Sequence, residues 1–122
     1  MISASFIFTE TDLDDEFFKL DAMIAEAAEE TPGFLGKENW VSPDGVTKNS
    51  IYYWQDQAAL RVFSAHPRHL EAKKKYDQWY GGFHVVISEV IKSYGDGAFD
   101  HLTPNSRPVR TAKNTRVDQP ET

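Results

Sequence analysis

Hydrophobic positions recur along this chain in two rhythms. From Ile2 to Phe8, Ile2, Ala4, Phe6 and Phe8 fall on one side and Ser3, Ser5 and Ile7 on the other, which is the period of a strand. Asp12 or Asp14 then caps a helix in which Phe17, Leu20, Ile24 and Ala27 recur at helical spacing, with acids in the first turn to suit the positive end of the helix dipole. Pro32-Gly33 stops this helix near Thr31. Phe34 to Val41 and Thr47 to Trp54 flank Ser42-Pro43-Asp44-Gly45, where proline presets one backbone angle and glycine tolerates a positive one, so the two runs read as a hairpin. Asp56 caps a short helix carrying Ala59, Leu60 and Phe63. Pro67 breaks it, and a second segment runs from about Arg68 to Tyr80, where Gly81-Gly82 ends it. The last strand, Phe83 to about Tyr94, carries His84, Val86 and Val90 on one side and Val85, Ile87 and Ile91 on the other.

Strand, helix, hairpin, helix, strand is the α+β, ferredoxin-like βαββαβ order, a four-stranded antiparallel sheet with its helices on one face. The other face poses a problem. Trp40, Tyr52 or Tyr53, Trp54 and the doubly apolar last strand leave more hydrophobic surface than water tolerates, and the sheet of an identical subunit is the simplest cover. A homodimer is therefore expected. The compact domain covers residues 1–95. Residues 96–122 form a C-terminal tail, in which Phe99, His101 and Leu102 are the candidate anchors and the partner subunit is the first candidate to hold it; from Thr103 on it has few apolar anchors and is expected to be mobile alone.

Composition narrows the class. At 122 residues with 40% hydrophobic side chains, the chain suits one domain with a small core. The formal net charge is −6, and the basic residues Arg107, Arg110, Lys113 and Arg116 gather in the tail, so the acidic body is a poor match for nucleic acid. The absence of cysteine removes disulfides, thiolate nucleophiles and thiolate metal sites together. The chain opens on Ile2-Ser3-Ala4-Ser5-Phe6-Ile7-Phe8 without a charged leader or a long apolar run, so neither a secretory signal nor a membrane span is expected, and a reducing cytoplasm is the default location.

Chemistry should concentrate between Tyr52 and His84. The succession Tyr53-Trp54, His66-Pro67-Arg68-His69, Ala72-Lys73 and Trp79-Tyr80, with the Thr31-Pro32-Gly33-Phe34 lead-in to the hairpin, resembles the antibiotic biosynthesis monooxygenase domain family of the dimeric α/β-barrel superfamily over roughly residues 1–95. That resemblance implies a dimeric α/β barrel, and its members include cofactor-independent oxygenases acting on polyphenols and quinols, haem-degrading enzymes and small proteins with no assigned activity. Fold alone does not choose among them. The haem-degrading branch usually carries an asparagine on its first strand; this chain has none there, which counts against haem cleavage and leaves haem binding open.

What the resemblance implies is oxidation of a small aromatic or quinol-type compound without a cofactor. Such an enzyme needs a base to remove a phenolic proton and a dry aromatic slot to hold the anion beside dioxygen, because the substrate supplies the electrons. His69 and His66 are the candidate bases, since imidazole titrates near working pH. Trp54, Tyr76 and Trp79 are the candidate walls, and Lys73 lies nearest the apolar stripe of its helix, where its stem can cover aromatic surface. Simpler roles compete: His66 can cap a helix, and Tyr76, Trp79 and Tyr80 at helical spacing are ordinary core. A non-catalytic small-ligand or haem-binding protein would use the same residues. His66 and His69 with His84 or Glu71 are a weak metal set, better read as a helix junction, so no metal is expected. Glu38 and Glu89 become acid-base candidates only if they turn into a dimer core, and an edge position facing water is the simpler placement.

Overall fold

A computed structural model describes residues 1–10 and 14–107 and divides the chain into two units, Met1–Val90 and Ile91–Thr122. The first unit runs β1 (Ile2–Glu10), α1 (Asp15–Glu30), β2 (Phe34–Val41), β3 (Thr47–Trp54), α2 (Gln57–Ser64), α3 (Pro67–Trp79) and β4 (Tyr80–Glu89). The strands form one antiparallel sheet in the order β2-β3-β1-β4. This is the ferredoxin-like α+β arrangement, with the second helix divided at Pro67.

Local chemistry explains the element ends. The Asp14 carboxylate accepts the Phe17 N–H at 2.8 Å and starts α1, with Asp15 and Glu16 following at the positive end of the helix dipole; Asp12 lies outside the described residues. Thr31 closes the helix. Its backbone N–H donates to the Ala28 carbonyl at 3.1 Å and its buried hydroxyl donates to the Ala27 carbonyl at 2.8 Å, so two otherwise orphaned carbonyls are satisfied. Gly33 then adopts φ +94° and its carbonyl accepts the Gln55 N–H at 2.7 Å. A Cβ at Gly33 would stand 2.7 Å from that of Ala59, so the bare backbone here lets α2 approach the lead-in to β2. In the hairpin, Asp44 accepts from the Ser42 hydroxyl at 2.6 Å and from the Val46 N–H at 3.0 Å, while Gly45 takes φ +76°.

The strand register decides which side chains meet the helices. Ile2 lies opposite Trp54 and Ala4 opposite Tyr52 on β3; Phe6 and Phe8 pair with Val85 and Phe83 on β4. One core cluster comprises Ile2, Ala27, Ala28, Trp54, Ala59, Leu60 and Phe63, and a second comprises Phe17, Leu20 and Trp79. Half-buried Ile24 packs against both. Trp54 therefore faces the helices, contrary to the expectation that it adds to the open face, and of the two tyrosines offered for that face it is Tyr53 that lies there while Tyr52 joins Trp54. Three consecutive aromatics at Tyr52, Tyr53 and Trp54 leave the parity of the strand undetermined in the sequence, and pairing with β1 fixes it.

The opposite face carries Ile7, Trp40, Ile51, Tyr53 and Val86 among Ser3, Ser5, Asn49 and His84. Tyr53 donates its hydroxyl to Glu38 at 2.6 Å, and Trp40 is 54% exposed. Edge strand β4 leaves Phe83, Val85 and Ile87 exposed on the helix side and Val86 on the other.

The end of α3 also departs from expectation. Gly81-Gly82 does not separate helix from strand by a loop: the helix ends at Trp79 and Tyr80 already belongs to β4. Thr9 pairs with Gly82 and Glu10 with Tyr80, so Gly81 is the extra residue of a bulge, a place where glycine is as well suited as at a helix stop. At its far end β4 stops at Glu89 rather than continuing to Tyr94.

In the second unit, residues 91–107 fold back on themselves. Ser106 N–H donates to the Ser93 carbonyl at 3.0 Å, Gly95 N–H to the Asn105 side chain at 3.1 Å, and the Ser93 hydroxyl to the Pro104 carbonyl. His101 Nδ1 accepts the Thr103 N–H at 3.1 Å. Phe99, a candidate anchor, is 70% exposed. Arg110, Lys113 and Arg116 of the basic tail lie outside the described residues.

Candidate functional site

The break at Pro67 gives the two candidate bases different jobs. α2 ends at Ser64, and His66 N–H still donates to the Phe63 carbonyl at 3.0 Å. The His66 carbonyl then accepts the Leu70 N–H at 3.0 Å, and its ring Nδ1 accepts the Arg68 N–H at 3.1 Å. This is an N-cap: the imidazole satisfies an orphan donor of α3, and Pro67 occupies the first helical position, where no N–H is needed. His69, one turn in, packs its ring edge-on to Phe63 with centroids 4.9 Å apart. Its Nδ1 is buried without a hydrogen-bond partner. Burial holds the His69 pKa below the usual 6.5, the nearby charges of Lys73 and His66 push the same way, and only a hydrogen bond to the Ser64 backbone opposes them. A neutral ring with an uncommitted nitrogen is what a proton acceptor requires.

Phe63 connects His69 to the sheet. Its ring stacks on Tyr52 at 5.6 Å and lies 5.0 Å from Trp54, which in turn contacts Phe34 at 5.1 Å. Trp54 is fully buried and its Nε1 has no partner. Trp79 belongs to the other core cluster, edge-on to Phe17 at 5.3 Å, and its Nε1 is likewise buried and unpartnered. The two candidate tryptophan walls are thus brought to opposite sides of Ile24 rather than face to face. Lys73 is exposed and bears on the site through its charge on His69. The Tyr76 side chain lies outside the described residues. Lys75 ties α3 to α1 by an ion pair with Glu16.

A second group of polar side chains was not singled out from the sequence. Asp21 on α1, Lys37 on β2, Tyr52 on β3 and Tyr80 at the start of β4 act on one another electrostatically. Asp21 is exposed as a residue, yet its carboxyl is dehydrated enough to lift its pKa above the usual value, with the Lys37 charge pulling it back. Burial pushes the Tyr52 hydroxyl up to about 12, reinforced by Asp21. It does the same for Tyr80, again to about 12, with Asp21 and then Tyr52 adding to it. Both tyrosines are therefore neutral donors at any physiological pH. Lys37 Nζ stands 5.7 Å from the Tyr52 ring centroid, and Tyr80 packs against Phe8 at 5.0 Å and Phe6 at 5.3 Å. One signal was available in the sequence: Asp21 is an acid four residues after Phe17 and three before Ile24, on the apolar side of its helix.

An open groove of about 330 Å³ lies elsewhere, between the Pro32-Gly33 turn and α2 residues up to Val62, and includes none of the candidate site residues. Among the described residues no three His, Asp or Glu side chains come together to hold a metal ion, and no helix is long and apolar enough to cross a membrane.

Comparison with known proteins rests on this geometry. No curated protein sequence matches the chain significantly. Among solved structures, SnoaB, a cofactor-independent oxygenase from Streptomyces nogalater, is similar at 19% identity over 75% of this chain and 94% of that one, with a TM-score of 0.63. Rv0793 from Mycobacterium tuberculosis is similar at 15% identity over 77% and 98%, with a TM-score of 0.64. A candidate antibiotic biosynthesis monooxygenase from Deinococcus radiodurans is similar at 14% identity over 78% and 97%, with a TM-score of 0.62. At such identities the likeness carries the fold. The sequence profile described as monooxygenase af470-like matches residues 7–88, more than half of the chain. The chain therefore belongs to the monooxygenase af470-like family, of the antibiotic biosynthesis monooxygenase type that the succession from Tyr53 to Tyr80 resembles.

Proposed function

We propose that the protein oxidises a small aromatic or quinol-type compound with dioxygen and without a cofactor, using His69 as the general base. The observation that carries this reading is the His69 ring: half-buried, held neutral by its surroundings, with an unpartnered Nδ1 beside the Phe63–Tyr52–Trp54 aromatic group. A quinol hydroxyl placed at Nδ1 loses its proton to the ring, and the resulting anion is electron-rich enough to reduce dioxygen itself. The balance closes without an external reductant, because a quinol and dioxygen become a hydroxyquinone and water. His66 serves as the helix cap in this scheme. Trp54 walls the slot, Trp79 backs the second cluster, and Lys73 keeps the base neutral.

The working protein in this reading is a homodimer in which two sheets meet through the face bearing Trp40, Ile51 and Val86. Mutual cover of this face and of the apolar edge strand β4 supports that assembly. Residues after Val90 are then free to reach the partner subunit.

The test is oxygen uptake by chelator-treated, flavin-free protein over a panel of quinols and polyphenols. Uptake above autoxidation, with one dioxygen consumed per quinol and no peroxide released, is expected. Saturable binding without uptake would defeat the oxidation reading and leave a ligand-binding protein of the same fold.

A further inference from the structure

Charge is divided unevenly along the first unit. Met1 to Asp56 carries twelve carboxylates against Lys19, Lys37 and Lys48, whereas Gln57 to Trp79, the span of α2 and α3, carries Arg61, Arg68, Lys73, Lys74 and Lys75 against Glu71 and Asp77. A chain so rich in carboxylates has partners to spare. Lys75 takes one, pairing with Glu16 on α1, and stands 4.0 Å from Glu71. Arg61, Arg68, Lys73 and Lys74 are exposed, and among the described residues no carboxylate lies within ion-pair distance of any of them.

Of these four cations, Lys73 bears directly on the site. It follows His69 by four residues on the same helix, a spacing that puts the two Cβ atoms on one face about 5–6 Å apart. Buried Phe63 flanks the His69 ring on the core side at 4.9 Å, and exposed Lys73 stands toward solvent. Structural need does not explain the cation: it ties α3 to no other element, and its charge opposes the imidazolium that a base becomes once it has taken a proton.

We infer that the compound handled at His69 is an aromatic acid, whose carboxylate pairs with Lys73 while a hydroxyl of the same ring meets His69. This rests on the oxidation reading for the role of His69 and adds the substrate class. The short reach between the two side chains favours a hydroxyl and a carboxylate on a single ring, as in a hydroxybenzoate. Arg61, Arg68 and Lys74 add a field that draws anions to this layer and away from the acidic remainder of the chain. Lys73 on α3 and His66 at the junction with α2 are the two charges that act on the ring, and a bound carboxylate cancels the nearer one, so His69 accepts a proton more readily with the acid in place.

Calorimetric titration under nitrogen separates binding from turnover. The probes are 2,5-dihydroxybenzoate and its methyl ester, which share one quinol ring and differ in charge. Wild-type protein should bind the acid at least about fivefold more tightly than the ester, the share of one partly exposed ion pair, and the preference should shrink as salt is raised. Lys73→Met should weaken the acid about fivefold and the ester less than about twofold. Lys74→Met removes an equal charge one residue on and should cost the acid less than Lys73→Met does. In wild type, the NMR titration midpoint of the His69 ring should rise with the acid bound and stay in place with the ester. Equal affinity for the two probes, or an acid affinity untouched by Lys73→Met, overturns the inference. A Lys73-dependent preference for the acid without oxygen uptake by wild type would keep the anion site and defeat the oxidation reading. Turnover of both probes with the same KM in wild type and Lys73→Met would do the reverse.

Discussion

Replacing Gly33 with alanine probes the contact that seats α2, and with it Phe63, against the sheet. Two costs arise at this position. Alanine at φ +94° is in the left-handed region, worth about 1–2 kcal/mol against an L side chain, and a smaller stiffening of the unfolded chain offsets part of it. The new methyl would also stand 2.7 Å from the Ala59 Cβ, well inside ordinary contact. That atom sits on α2, whose lead-in residue Gln55 is already tied to the Gly33 carbonyl at 2.7 Å, so it cannot simply rotate away, and overpacking of this kind costs about 1–3 kcal/mol. Gly45 supplies the control. It has φ +76° but nothing within 4 Å of a built Cβ, so Gly45→Ala reports backbone strain alone. Urea denaturation of the two variants should show Gly33→Ala the less stable by about 2 kcal/mol, which for a domain of this size corresponds to roughly 6–10 °C in Tm. Equal destabilisation would mean that α2 does not approach the turn as closely as described and that the seating of Phe63 has another cause.

Other consequences concern the base and the sheet face. Because the folded protein holds the His69 pKa down, the oxidation rate should rise with pH and level off with a midpoint below 6.5; Lys73→Met removes a neighbouring cation and should move that midpoint upward, as pH–rate profiles will show. The same shift links pH to stability. With the folded value depressed, the unfolded chain takes up the proton first, so this contribution is complete above 6.5 and declines as pH falls through the folded-state value; His69→Gln should remove that slope from urea midpoints measured across the range. Trp40→Asp places a charge on the open sheet face and should weaken self-association about 100-fold in sedimentation experiments, whereas an unchanged association constant would locate the interface elsewhere.

Much of the scaffold was legible because local chemistry and hydrophobic period agree. Asp14 and Asp56 are caps whose side chains accept the expected N–H groups, Ser42 to Gly45 is a turn with the residues its geometry demands, and the stripe Phe17, Leu20, Ala27 is buried as its spacing requires. Where one residue type serves two geometries, the sequence was ambiguous. Gly81-Gly82 suits a helix stop or a bulge, and only the pairing of Thr9 with Gly82 decides. His66 and His69 look equivalent as a pair; the Arg68 N–H on the His66 ring separates them, a contact that depends on how the chain turns at Pro67. Asp21 was hidden among the many acids of the chain's first third, because its electrostatic effect on Tyr52 and Tyr80 depends on strands far apart in sequence.

The most direct measurement compares dioxygen consumption by wild type, His69→Gln and His66→Asn over one quinol that wild type oxidises, with circular dichroism to confirm folding. Glutamine retains bulk but cannot take a proton, and asparagine keeps a side-chain acceptor for the Arg68 N–H. The His69 variant should lose about 100-fold or more in kcat, the usual share of a general base, while the His66 variant stays near wild type. Undiminished turnover by His69→Gln would contradict the assignment of the base.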